Sequence, residues 1–310
     1  MRTLAAVVAA AALAIASAPP AVACLWDYDT LKEETLSDRD TAAVLRGEHG
    51  HHGPGFYPAK LAYTRPLVDT GAAPKERYDD LAVALARTGA HDDALAVLAA
   101  KDQRFPGEYT THANRGTFLA MKGDVAGALV ELRRALTINP DAHFGREEFQ
   151  VKLLEYKLRV AKDPTLRERE TFLGHDLKRL IVQTKHKDDR DLDRAVTAMV
   201  GLVRFGGADR DPDLWFGLAW TLMQRGDNQL ALMALRRAEL AGHPRAKADG
   251  VDRSKAIRAL ERYHDDDERW RRASSTIDRA LAKGAAVEAR RHAAEAKLLA
   301  RKRWRAAFGY

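Results

Sequence analysis

At 310 residues the chain is long enough for one extended domain or two compact ones, so core size sets no limit. Its 51 Lys and Arg against 44 Asp and Glu give a net charge of +7, and with aromatic residues at only 7% they suit helices with charged outer faces. No run alternates apolar and polar residues as a half-buried strand must, which argues against a sheet protein and predicts an all-α fold.

Residues 1–23 have the pattern of a secretory signal peptide. Arg2 supplies the positive start, residues 4–15 are apolar, and Pro19 and Pro20 break the run ahead of "AVA" at 21–23. That run is shorter than the roughly 20 residues a spanning helix needs, and no later segment is long and apolar enough either. An extracytoplasmic location, periplasmic or secreted, is expected. Cys24 is the single cysteine and directly follows the expected cut, so no intrachain disulfide can form. "AVAC" also resembles the lipobox of bacterial lipoproteins, with Ala21 where a leucine is usual. Ordinary cleavage and acylation of Cys24 both stay open.

The extension 24–74 starts "CLWDYDTLKEETL", passes through "GEHGHHGPG" and resumes with "FYPAKLAYTRPLVD". Trp26, Tyr28 and Leu31 are expected to form a lid on the first repeat, and Phe56, Leu61 and Tyr63 mark a helix. His49, His51 and His52 are the one ligand-like cluster. Imidazoles this close can take zinc, copper or nickel, yet stable sites also recruit ligands from separated elements, so a solvated loop is the other reading.

Residues 75–142 repeat themselves. Gly89 and Gly123 lie 34 residues apart, as do Ala94 and Ala128, Leu98 and Leu132, and Pro106 and Pro140. The same frame returns at 212–245 with Gly226, Ala231, Leu235 and Ala238, its proline displaced by one residue to Pro244. Each unit predicts helix, turn, helix, turn. The glycine ends one helix, Asp124 helps to cap the next, the alanine permits close helix approach, and the proline redirects the chain.

These three copies resemble the tetratricopeptide repeat proteins over 75–108, 109–142 and 212–245. Trp215, Leu218, Ala219 and Leu222 fall on the family's first-helix positions, as do Tyr78, Leu81, Ala82 and Leu85. The second copy departs there, with His112 and Arg115 in place of bulky apolar residues. The resemblance implies a solenoid of helix pairs whose first helices line a concave face holding a protein or peptide, an adaptor that needs no cofactor.

Between the second and third copies, 143–211 reads as a helical bridge or degenerate repeats. Phe149, Leu153, Tyr156 and Val160 make 145–162 a helix, and two more are expected near 166–184 and 190–204. In the third copy Phe216, Trp220 and Met223 share a second apolar face. They are either core or a partner groove, where the second copy has the smaller Ala113, Thr117 and Ala120. The tail 246–310 is expected to cap the stack with helices at 252–263, 265–282 and 285–304. Residues 252–310 hold 16 Lys and Arg against 9 Asp and Glu, and the other 251 residues hold 35 of each. Arg301 and Arg303 in "RKRWR" could meet an acidic partner or anionic lipid, nucleic acid being unexpected behind a leader.

Catalysis is not expected. No phosphate-binding GxxxxGK[ST], GxGxxG or local nucleophile–base motif is present, and "HDDDERW" at 264–270 lacks the glycine and distal glutamate of a calcium loop. The expected role is an extracytoplasmic adaptor. The alternatives are an envelope spacer lipoprotein acylated at Cys24 and a metal-handling module built on the histidine loop.

Overall fold

A computed structural model describes residues 25–36, 41–174, 189–246 and 266–308, and among them the chain is all-helical. The leader 1–23 and Cys24 lie outside the described residues, as does the helix expected at 252–263. Three helices come first among the described residues, α1 (Tyr28–Leu36), α2 (Thr41–Arg46) and α3 (Phe56–Asp69).

Two hairpins follow in the 34-residue frame, α4 (Lys75–Arg87) with α5 (His91–Arg104) and α6 (Tyr109–Lys122) with α7 (Val125–Ile138). Their turns are short because a glycine takes the left-handed conformation at each, with φ +88° at Gly89 and +89° at Gly123. Asp124 then caps α7, its Oδ1 accepting from the Gly127 N–H at 2.9 Å. Ala94 and Ala128 are fully buried where paired helices approach. In the second hairpin a side chain at Gly116 would stand 2.7 Å from Leu132 Cγ, so the glycine is what lets α6 and α7 meet. His112 and Arg115, the departures from the repeat pattern, both reach Glu131 on α7, at 2.8 Å and 3.2 Å. A cross-helix ion network replaces the apolar contact there.

The bridge is α8 (Arg146–Lys162), a 3-10 turn (Pro164–Glu168) and α9 (Asp189–Arg204). The helix expected near 166–184 is corrected over its described part: after the 3-10 turn, residues 169–174 are non-helical, and Phe172 is buried against α10 (Pro212–Arg225). With Pro164 at its start, that stretch cannot continue α8. α10 pairs with α11 (Asn228–Leu240) through Gly226 at φ +88°, and Ala231 is fully buried.

The tail differs most from expectation. Instead of two helices broken near Gly284, one helix, α12, runs from Asp266 to Ala300, followed by α13 (Trp304–Phe308). Its inward stripe, Ser274, Ile277, Leu281, Gly284, Glu288 and Glu295, recurs every three, four or seven residues, as one helical face requires. Gly284 is a contact point: an added Cβ would lie 2.1 Å from the Arg46 carbonyl oxygen. α12 packs on α11, α2 and α3, so it links the last hairpin to the first helices instead of covering one end. Phe308 completes the closure, fully buried and 5.3 Å from the Phe56 ring.

Candidate functional site

Among the described residues, two clusters of polar side chains bear on function. The first is the face built by α4, α6 and α8. Across it lies the start of the described chain, Leu25 to Asp29. The Asn114 carboxamide holds the Trp26 backbone twice: its Oδ1 accepts from the Trp26 N–H at 2.8 Å, and its Nδ2 donates to the Trp26 carbonyl at 2.9 Å. The Tyr28 N–H donates to Asp80 Oδ1 at 3.0 Å. The Trp26 ring meets Tyr109 edge-on at 5.0 Å, and its Nε1 points to Glu147 at 3.4 Å. Leu25 is 2% exposed and joins the apolar cluster of α3, α4 and α5.

Beneath this segment lies a buried ion cluster. Lys60 on α3 is fully buried, its Nζ 2.9 Å from Asp27, 2.6 Å from Asp29 and 3.1 Å from Asp80. Beside it, Lys101 donates to Asp79 at 2.6 Å and to Thr110 at 2.6 Å. The two acids of the segment titrate in opposite directions. Burial would raise the Asp27 carboxyl, but the Lys60 charge and hydrogen bonds from Thr30 and Lys60 outweigh it and hold it at about 2. At Asp29 burial wins over Lys60, and the neighbouring Asp27 charge adds to it, lifting the carboxyl to about 7. Asp79 is likewise raised to about 6, by burial against the opposing pull of Lys101.

Sequence periodicity points to none of this, because Asn114, Asp79, Asp80 and Lys60 read as ordinary polar positions on helices. The nearest signal is "YDDLA", two adjacent acids inside an otherwise apolar run. The expected lid is reached in part. Trp26 is bound, but over the second hairpin and α8, whereas Tyr28 and Leu31 stay exposed at 39% and 38%.

The second place is the histidine loop. Its three imidazoles do not converge. His52 pairs with Glu295 on α12 at 2.5 Å and stacks on Phe56 at 3.5 Å. His49 and His51 turn the other way, to Asp209 in the loop before α10. Burial depresses both imidazoles below their ordinary value: His49 falls to about 3, with His51 and Arg237 adding to the effect, while at His51 Asp209 opposes it. α12 pins this loop, Glu288 accepting from the Gly50 N–H at 3.1 Å and Glu295 from the Gly53 N–H at 2.7 Å.

Of the two readings of the face of Phe216, Trp220 and Met223, core and partner groove, the burial is that of core. Phe216 is 1% exposed and stacks on His243 at 3.9 Å, Trp220 is 3% exposed, and Met223 packs partly buried against the same core. His243 covers Phe216, and Phe172, buried in the same core, lies against Gly217; both come from irregular segments. Thr117 is likewise fully buried, accepting from Gln150 on α8 at 3.3 Å. Arg301 and Arg303 are exposed beyond the end of α12. Among the described residues no helix is long and apolar enough to cross a membrane. No family model matches the chain, and a search of curated proteins finds no significant relative.

Proposed function

We propose that the protein is an extracytoplasmic adaptor of the tetratricopeptide type. It binds an extended segment of a partner protein on the face of α4, α6 and α8, where residues 25–29 of its own chain compete for the position. The observation that carries this reading is the paired hydrogen bonding of Asn114 to both backbone groups of Trp26. A grip on N–H and C=O takes any extended strand, while Tyr109 and the buried acids select what flanks it. The cis segment supplies an aromatic residue followed by an acid, and a partner with the same order suits this face.

Capture from the envelope fraction tests the reading. Trp26→Ala weakens the cis segment and should increase the amount of a bound protein, and Asn114→Ala added to it should abolish that gain. Equal capture by all three forms would remove the α4–α6–α8 face as the binding site. The lipoprotein reading keeps one specific support: Leu25, next to Cys24, is already buried, so acylation would set the folded body directly at the bilayer. An intact mass without acyl chains on Cys24 excludes it.

A further inference from the structure

We propose that His49, His51 and Asp209 form a binding site for a divalent first-row transition metal ion, with zinc as the test case. One ligand atom from each residue lies within 4.8 Å of the other two. A contraction of about 1.2–1.5 Å would bring them to the tetrahedral spacing that metal bonds of about 2.0–2.2 Å impose. The set combines the loop after α2 with the loop before α10, and so supplies the separated ligands that a run of histidines in one loop lacks.

One imidazole is held from behind, His51 Nε2 lying 3.1 Å from the Val203 carbonyl oxygen. Anchoring one ring nitrogen to a carbonyl fixes the tautomer, the arrangement usual behind metal-bound histidine. On His49, Nε2 is buried without a hydrogen-bond partner. Leaving a buried acceptor unsatisfied is costly, and a metal ion satisfies it.

His52 is not a ligand, since Glu295 holds it on the far side. Three protein ligands leave coordination positions open.

The test is zinc titration of the untagged full chain against a chromophoric chelator, with Co(II) absorption as a second readout. The wild type should bind one equivalent and gain thermal stability with added zinc. Asp209→Asn, which preserves side-chain shape, and His51→Gln should each weaken binding by about tenfold or more, while His52→Gln leaves it unchanged. Cobalt should give visible ligand-field bands in the wild type that Asp209→Asn loses. Circular dichroism checks that each variant is folded, and Asp209→Asn decides the matter if His51→Gln is not. Absence of zinc uptake by the folded wild type overturns the proposal, and so does binding that His52→Gln abolishes and Asp209→Asn retains.

Discussion

Lys60 shows how a single position decides more than its type suggests. A lysine in a helix ordinarily faces water, yet this one is fully buried among Asp27, Asp29 and Asp80. Removing its charge leaves the Asp27 carboxylate without its cation in the interior, Asp80 keeping Arg77 at 2.9 Å, and Lys60→Met should cost about 3–5 kcal/mol in denaturant unfolding. Asp29 gives the cluster a pH response. Its carboxyl is raised from 3.8 to about 7, so between those values the folded chain holds a proton that the unfolded chain has released. Its contribution is complete below pH 3.8 and is lost as pH rises through 7. Asp27, lowered to about 2, acts oppositely, and its contribution is present above 3.8 and lost only as pH falls through 2. Asp29→Asn should therefore raise the melting temperature relative to wild type more at pH 8 than at pH 5. A pH profile identical to wild type would show that Asp29 is not the protonated group.

At the scale of elements, glycine has two different jobs, and mutation separates them. Gly89 stands in open space at φ +88°, so Gly89→Ala meets no neighbour and should cost only the backbone penalty of roughly 1–2 kcal/mol. Gly284 has ordinary helical neighbours but sits under the Arg46 carbonyl at 2.1 Å from an added Cβ. Gly284→Ala must push α12 away from α2, costing on the order of 1–3 kcal/mol and raising hydrogen exchange along α12. Ala128→Phe overpacks a fully buried contact between α7 and its neighbours, with a similar expected loss. A denaturation midpoint equal to wild type for Ala128→Phe would contradict that packing. The 34-residue frame and its turns were readable because glycine, alanine and proline punctuate them locally. The continuous α12 was not, because "KGAAVEARR" gives a glycine the same appearance at a break and at a crossing.

Across the whole molecule, the extension and the tail belong to one closed arrangement. α12 spans α11, α2 and α3, Phe308 packs on Phe56, and Arg87 of the first hairpin donates to the Phe205 carbonyl at 3.2 Å. At the end of the basic tail, Arg301, Lys302, Arg303 and Arg305 are exposed. Charge reversal at Arg301 and Arg303 should shift stability by no more than about 0.5 kcal/mol. The same double variant should co-sediment less with anionic vesicles, and salt should have the same effect on the wild type. Vesicle binding indifferent to both would remove the lipid-facing reading of the tail.

The sequence by itself determined the all-helical class, the three hairpins and the small residues at their contacts, since periodicity, capping and turn chemistry act within a few residues of one another. Only the tertiary structure decided which polar groups meet. Asn114 is 88 residues from Trp26, and Asp209 reaches His49 and His51 from another loop, with nothing local to mark either pairing. It also decided that Phe216 and Trp220 are core, with His243 stacked on Phe216 and Phe172 against Gly217, both arriving from segments without periodicity. Helical pattern records which face of an element is apolar; what comes to lie on that face is set by chain closure over distances the pattern does not span.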